Sequence, residues 1–244
     1  GHVAIGTGAL GANTTGDHNT AVGYNSLAAN TTASDNTAVG LQALDAATTG
    51  GANTAVGKDA LGDLTTGSEN TAIGWTAGGD ITTARFCVAV GRQALRLNTT
   101  TENLTAVGYT AMRSATGERN TGVGNAALYA CLAGASNTAV GDNAGSVTTT
   151  GDNNLFLGYQ AGTNSSPGHV VGGDNHIVLG NNSITNALIK VDWTVTSDSR
   201  DKADVADFDL GLAFVNALAP KKYKWDMRSD YSDDLSVTPD GTHK

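Results

Sequence analysis

The feature that most constrains this chain is a spacing. Glycines at Gly6, Gly23, Gly40, Gly57, Gly74, Gly91 and Gly108 stand 17 residues apart; Gly124, Gly141, Gly158 and Gly180 follow at intervals of 16, 17, 17 and 22. Each closes a phrase whose commonest form is Asn-Thr-Ala-Val-Gly. A period so short, held over so many repeats, predicts a solenoid in which one repeat is one coil, because no single coil can bury its own apolar face. The fold class expected is all-β, a parallel β-solenoid of about eleven 17-residue coils.

Aligning the repeats on the glycine separates the chain into columns. The residue before it is Ile5, Val22, Val39, Val56, Ile73, Val90, Val107, Val123, Val140, Leu157 or Leu179. Stacked aliphatic and β-branched side chains suit a parallel ladder, so this column is expected to form the core. One residue earlier stand Ala4, Ala21, Ala38, Ala55, Ala72, Ala89 and Ala106. Strand alternation turns that small column to the opposite face, where its size predicts close approach by another surface. After the glycine, pairs such as Ser26-Leu27, Ala43-Leu44 and Ala60-Leu61 suggest a second short strand, with Gly78, Gly145 and Gly162 in place of the large residue in three coils. Threonine pairs such as Thr31-Thr32 and Thr48-Thr49 form a further column before Gly, Asn and Asp corners. Asn19, Asn36, Asn53, Asn70, Asn120 and Asn137 open the phrase, and their amides are placed to hydrogen-bond from coil to coil.

Composition changes near residues 190–200. Residues 1–196 hold 13 acidic and seven basic side chains, whereas the last 48 residues hold ten and seven, together with Pro220 and Pro239. A net charge of −9 with no cluster of Lys and Arg argues against a nucleic-acid partner. No stretch of 18 apolar residues is present, so no membrane insertion by an apolar helix is expected. The chain starts within a repeat, at Gly1, and reads as a fragment of a longer protein.

The phrase with its following Tyr-x-x-Leu, as in Asn19 to Leu27, resembles the head repeats of trimeric autotransporter adhesins, the YadA-like left-handed β-roll, and related repeats of phage tail fibres. The resemblance spans residues 1–180. It implies a homotrimer of parallel chains, for which the alanine column Ala4, Ala21, Ala38, Ala55, Ala72, Ala89 and Ala106 would be the lateral contact. It also implies other fibre or virion proteins and a cell-surface receptor or glycan as partners, and a place in a virion or on a cell surface.

Beyond Gly180, residues 181–196 read as a strand connector, with Ile189 to Val195 alternating apolar and polar. Ser197-Asp198-Ser199-Arg200-Asp201-Lys202 follows. It resembles the start of the self-cleaving intramolecular chaperone at the C-terminus of endosialidase-type phage tail spikes and of the myelin regulatory factor family, where Ser-Asp-x-Arg-x-Lys marks the cut. A helix expected from about Leu210 to Leu218, stopped by Pro220, and the alternating Lys222-Tyr223-Lys224-Trp225 fit the same small α+β segment, so residues 197–244 are expected to be the first part of that domain. The resemblance implies a single-turnover serine/lysine autopeptidase: Ser197 attacks the carbonyl of Thr196, Lys202 takes the hydroxyl proton, and Asp198 and Arg200 support them.

Other signals are weaker. Cys87 and Cys131 lie more than two coils apart, roughly 12 Å at ~4.8 Å per coil, too far for a disulfide within one chain. The threonine pairs raise an ice-binding surface, yet adjacent strand residues face opposite ways and cannot give two outward hydroxyls per coil. Asn-x-Ser/Thr sequons at Asn13, Asn30, Asn98, Asn103, Asn164 and Asn181 follow from composition. His169 and His176 sit near the long insertion and are expected as loop residues, with no metal or cofactor. No convergent carboxylate pair marks a polysaccharide-degrading tail spike. The function expected is therefore a structural fibre, either a phage tail or head fibre for host attachment or a bacterial surface adhesin or extracellular filament.

Overall fold

The computed structural model describes residues 1–166 and 168–188. Eleven strands of three residues each, from β1 (Val3–Ile5) and β2 (Thr20–Val22) to β10 (Leu155–Leu157) and β11 (Ile177–Leu179), form one parallel sheet in sequence order. The described residues thus form an all-β parallel β-solenoid with 17-residue coils and hold no helix. Pairing joins equivalent residues, as in Thr20 to Thr37, Ala21 to Ala38 and Val22 to Val39. At ~4.8 Å per strand the sheet rises roughly 50 Å.

The alanines, not the valines, face inward. Ala21, Ala38, Ala55, Ala72 and Ala106 are fully buried, whereas Ile73 and Val140 are each 42% exposed and Val22, Val39 and Val56 half-buried. This reverses the faces expected from the sequence, and it removes the column Ala21 to Ala106 from any lateral contact; Ala4, in the end coil, is exposed. The reason is the opposite wall of the coil. Leu27, Leu44, Leu61, Leu95, Met112 and Leu128 are fully buried and fill the interior from that side. Against such a wall the centre of each strand has room only for a methyl group.

That wall is not a second strand. Leu27, Leu44 and Leu61 adopt φ of +51°, +53° and +49°, in the left-handed region. An L-residue there costs about 1–2 kcal/mol, and full burial of a leucine contributes about 1.5–3 kcal/mol, so packing outweighs the strain. Main-chain bonds reinforce it: Leu27 N–H donates to Ala43 C=O, and Leu44 N–H to Ala60 C=O, each at 3.0 Å. The turn winds the chain tightly enough to close a coil in 17 residues with one strand.

The glycines substituted into this wall are matched by neighbours. A Cβ on Gly145 would lie 2.7 Å from the Phe156 ring and one on Gly162 2.3 Å from it. Phe156 occupies the strand-centre position that holds alanine elsewhere, so one enlarged residue fills the space of two missing leucines. Near Gly78, Leu61 and Ile81 fill the gap in the same way, a Cβ there lying 2.9 and 3.0 Å from their methyl carbons.

Buried asparagines stitch successive coils. Asn36 N–H donates to Asn19 Oδ1 at 3.0 Å, Asn53 N–H to Asn36 Oδ1 at 2.9 Å, and Asn70 N–H to Asn53 Oδ1 at 3.0 Å. Each amide group also closes the far loop 14 residues on: Asn36 Nδ2 donates to Gly50 C=O and Asn53 Nδ2 to Gly67 C=O. The run passes to Cys87 N–H, breaks at Leu104, and resumes from Asn120 through Asn137 to Asn154, which accepts from His176 N–H at 2.9 Å. Asn154 belongs to the ladder although its phrase, Asn-Leu-Phe-Leu-Gly, departs from the consensus.

Replacing Asn53 with alanine strands the buried Asn70 N–H and Gly67 C=O. At about 1–3 kcal/mol for each buried unsatisfied group, Asn53→Ala is expected to destabilise the stack by about 2–6 kcal/mol, read as a lower denaturant midpoint than that of the exposed control Thr32→Ala.

Candidate functional site

The catalytic residues expected from the sequence, Ser197 and Lys202 with Asp198, Arg200 and the bond after Thr196, lie outside the described residues. So does the helix expected from Leu210 to Leu218. The candidate site is therefore the surface of the solenoid.

Inverting the strand faces turns two columns outward. In each TAV strand the threonine and the valine flank the buried alanine, giving a sheet face of Thr20, Thr37, Thr54 and Thr71 beside Val22, Val39, Val56 and Ile73. Towards the far end the face grows more apolar, with Leu155 and Leu157 on β10 and Ile177 and Leu179 on β11. Ile5, Ile73, Val140, Leu157 and Leu179 are exposed along it.

Beyond the glycine a third outward column varies from coil to coil: Tyr24, Leu41, Lys58, Trp75, Arg92, Tyr109, Asn125, Asp142 and Tyr159. Within it the Arg92 guanidinium lies 4.4 Å from the Trp75 ring centroid and 5.6 Å from that of Tyr109. Of this column only Tyr24 belongs to the Tyr-x-x-Leu motif noted in the sequence. The column's signal was the clustering of aromatic residues at one phase of the period.

The threonine pairs serve the coil. Thr31, Thr48, Thr65 and Thr82 each donate a side-chain hydroxyl to the carbonyl of the equivalent threonine one coil on, at 3.1–3.2 Å. The second threonines, such as Thr32, Thr49 and Thr66, are exposed. Each pair thus offers one outward hydroxyl. Of the sequon asparagines, Asn30 and Asn98 are fully buried and bonded to main-chain groups three residues away.

A cleft of about 200 Å³ is lined by Gln42, Asp45, Asp59, Asp63, Thr76, Asp80 and Arg96. Burial pushes the Asp45 carboxyl above the usual carboxylate range, against the hydrogen bond that Gln42 donates at 3.3 Å. Burial also raises Asp80, although Arg96 at 3.9 Å opposes the shift. Among the described residues no group of three His, Cys, Asp or Glu side chains is placed to hold a metal ion. Cys87 and Cys131 are free and buried, and burial pushes both thiols up to about 11, which keeps them protonated and poorly nucleophilic at neutral pH.

No protein-family model, no curated protein and no solved structure matches the chain.

Thr76 carries two costs at once. It is β-branched at φ +51°, and its buried hydroxyl has no hydrogen-bond partner among the described residues. Asparagine tolerates the left-handed region and already holds this column at Asn25 and Asn143, both at positive φ. Thr76→Asn is expected to stabilise the solenoid by about 1–2 kcal/mol, measured as a higher thermal midpoint; an unchanged or lower midpoint would show that neither cost is real.

Proposed function

We propose that this chain is a segment of a homotrimeric attachment fibre of the phage tail or head type, carried through assembly by a C-terminal chaperone that releases itself by cutting between Thr196 and Ser197. One observation carries the fibre half of this reading. The outer sheet face presents the same apolar column, Ile5 through Leu179, on successive coils. A lone solenoid leaves that column in water, and a second copy in parallel register meets it with an identical spacing. A continuous column of half-buried and exposed aliphatic side chains fits an interaction surface better than scattered surface residues do, and closed rotational symmetry is the common way for like chains to cover it. The lateral contact is thus assigned to the Val/Ile column in place of the alanine column.

The chaperone half rests on the resemblance of Ser197-Asp198-x-Arg200-x-Lys202 to the cleavage pattern. Ser197 Oγ attacks the Thr196 carbonyl carbon, the proton leaves through Lys202 to the departing Ser197 amine, and the peptide bond becomes an ester that water then hydrolyses. Lys202 serves as base only when neutral, which requires burial or a nearby cation such as Arg200. A base made competent by the packing of three chains ties the cut to completed assembly.

Two measurements test these halves separately. Native mass spectrometry of the parent is expected to give three copies, and the double variant Val39→Lys, Val56→Lys one copy with its β-sheet circular dichroism retained. A parent that is monomeric sinks the fibre reading, and a double variant that stays trimeric sinks the lateral contact. For the cut, denaturing mass of the full-length product is expected to show loss of everything from Ser197 onward in the parent and an intact chain in Ser197→Ala; equal masses would refute self-cleavage.

A further inference from the structure

The geometry points to a binding site for a carboxylate-bearing polysaccharide at Arg92, framed by Trp75 and Tyr109 on the flanking coils. Arg92 is exposed, and its guanidinium carbon lies 4.4 Å from the centroid of the Trp75 indole and 5.6 Å from that of the Tyr109 phenol ring. The rings take no hydrogen bond from the guanidinium, so among the described residues its N–H fork, the part that matches a carboxylate with two parallel hydrogen bonds, has no acceptor. Every other basic side chain among the described residues has a polar partner. Lys58 meets Asp59 at 3.5 Å, Arg85 meets Glu69 at 3.6 Å, Arg96 meets Asp80 at 3.9 Å, Arg119 meets Glu118 at 3.0 Å, and Arg113 donates to the Tyr129 hydroxyl at 3.3 Å. Among the described residues Arg92 alone has rings and no acceptor.

The surroundings select the kind of anion. The whole chain carries −9, so its general field repels polyanions, and attraction at Arg92 acts only at short range. An acidic peptide is held by main-chain bonds to a free strand edge or by deep side-chain pockets, and the column offers no free main chain. Gln93 N–H donates to Trp75 C=O and Thr110 N–H donates to Arg92 C=O, both at 3.0 Å, so the backbone here is taken by the coils above and below. What remains is side chains alone: a cation beside two half-exposed aromatic rings, with Trp75 45% and Tyr109 49% exposed. Sugar rings bearing carboxylates fit that set, apolar C–H faces against the aromatics and the carboxylate on the guanidinium. Tyr24 and Tyr159 stand in the same column three coils beyond Trp75 and Tyr109, with Lys58 on the Tyr24 side and Asp142 on the Tyr159 side, so a carboxylate polymer is favoured to extend from Arg92 towards Lys58 and Tyr24.

This names a ligand class for the attachment fibre proposed above and rests on that reading for its setting. The test measures binding of oligogalacturonate to the assembled protein at low ionic strength, with its neutral methyl ester and poly-glutamate as comparisons. Parent protein is expected to bind oligogalacturonate and neither comparison. Arg92→Gln is expected to weaken binding at least tenfold, Arg92→Lys nearly as much because the planar fork is lost, and Arg119→Gln not at all. Absence of binding by the parent, binding that Arg92→Gln leaves unchanged, or equal binding of poly-glutamate would each overturn the proposal. Native mass of the same samples separates the two readings. If Arg92→Gln disperses the trimer, the column is covered by another copy and the ligand site fails while the fibre stands. If the parent binds through Arg92 as a monomer, the fibre reading fails and the site stands.

Discussion

Everything in this solenoid depends on how closely one coil can lie on the next. The glycine that closes each phrase takes a φ between +127° and +140° from Gly6 to Gly141, and a Cβ built there would fall 2.3–2.7 Å from a carbonyl atom of the glycine one coil on. Glycine is thus required twice over, by its backbone conformation and by the neighbour it touches. With that contact fixed, main-chain bonds run from coil to coil on every side, as Gly40 N–H to Val22 C=O, Leu44 N–H to Ala60 C=O and Thr48 N–H to Thr65 C=O show. The axial spacing sets the interior volume, and the interior volume sets the residues. Alanine at the strand centre, leucine on the facing turn and asparagine at the corner are the sizes that fit; where one changes, as Phe156 does, its neighbours Gly145 and Gly162 change with it.

The period, the register and the amide ladder were legible because each is a statement about phase, and phase survives substitution. Asn154 sits in the ladder on phase alone, in a phrase that has lost its consensus. Which strand face points inward was not legible. Alternation assigns Val22 and Ala21 to opposite faces without saying which is the core, and the larger apolar residue is the ordinary choice. The answer lay in Leu27, whose left-handed backbone runs against the preference of leucine and against its appearance as a strand residue. Tertiary packing overrode local propensity there, and that one turn narrowed the coil until only alanine could face it.

The inversion puts the larger apolar side chains, valine and isoleucine, on the outer face in place of alanine. Alanines hidden between two walls contribute nothing to assembly. Valines and isoleucines left outside them form an apolar stripe that the coil does not need for its own closure. An all-interior aliphatic column would have left an outer face of small residues with little to gain from association. The observed arrangement gives the outer face the larger apolar area, and with roughly 25 cal/mol for each Å² removed from water the gain grows with every coil that is covered.

Variation within the chain also has a physical reading. Positions that the coil constrains hardly change: glycine at the close approach, alanine at the strand centre, leucine or a compensated glycine on the turn. The position after the glycine is free of those demands, and there the chain places Tyr24, Leu41, Lys58, Trp75, Arg92, Tyr109, Asn125 and Asp142 in succession. A column that points outward and is not needed for stacking can differ on each coil at little cost to the fold. At Arg92 side chains of three successive coils meet, the guanidinium with Trp75 and Tyr109, whereas the threonines and buried asparagines are taken up by bonds within the repeat itself.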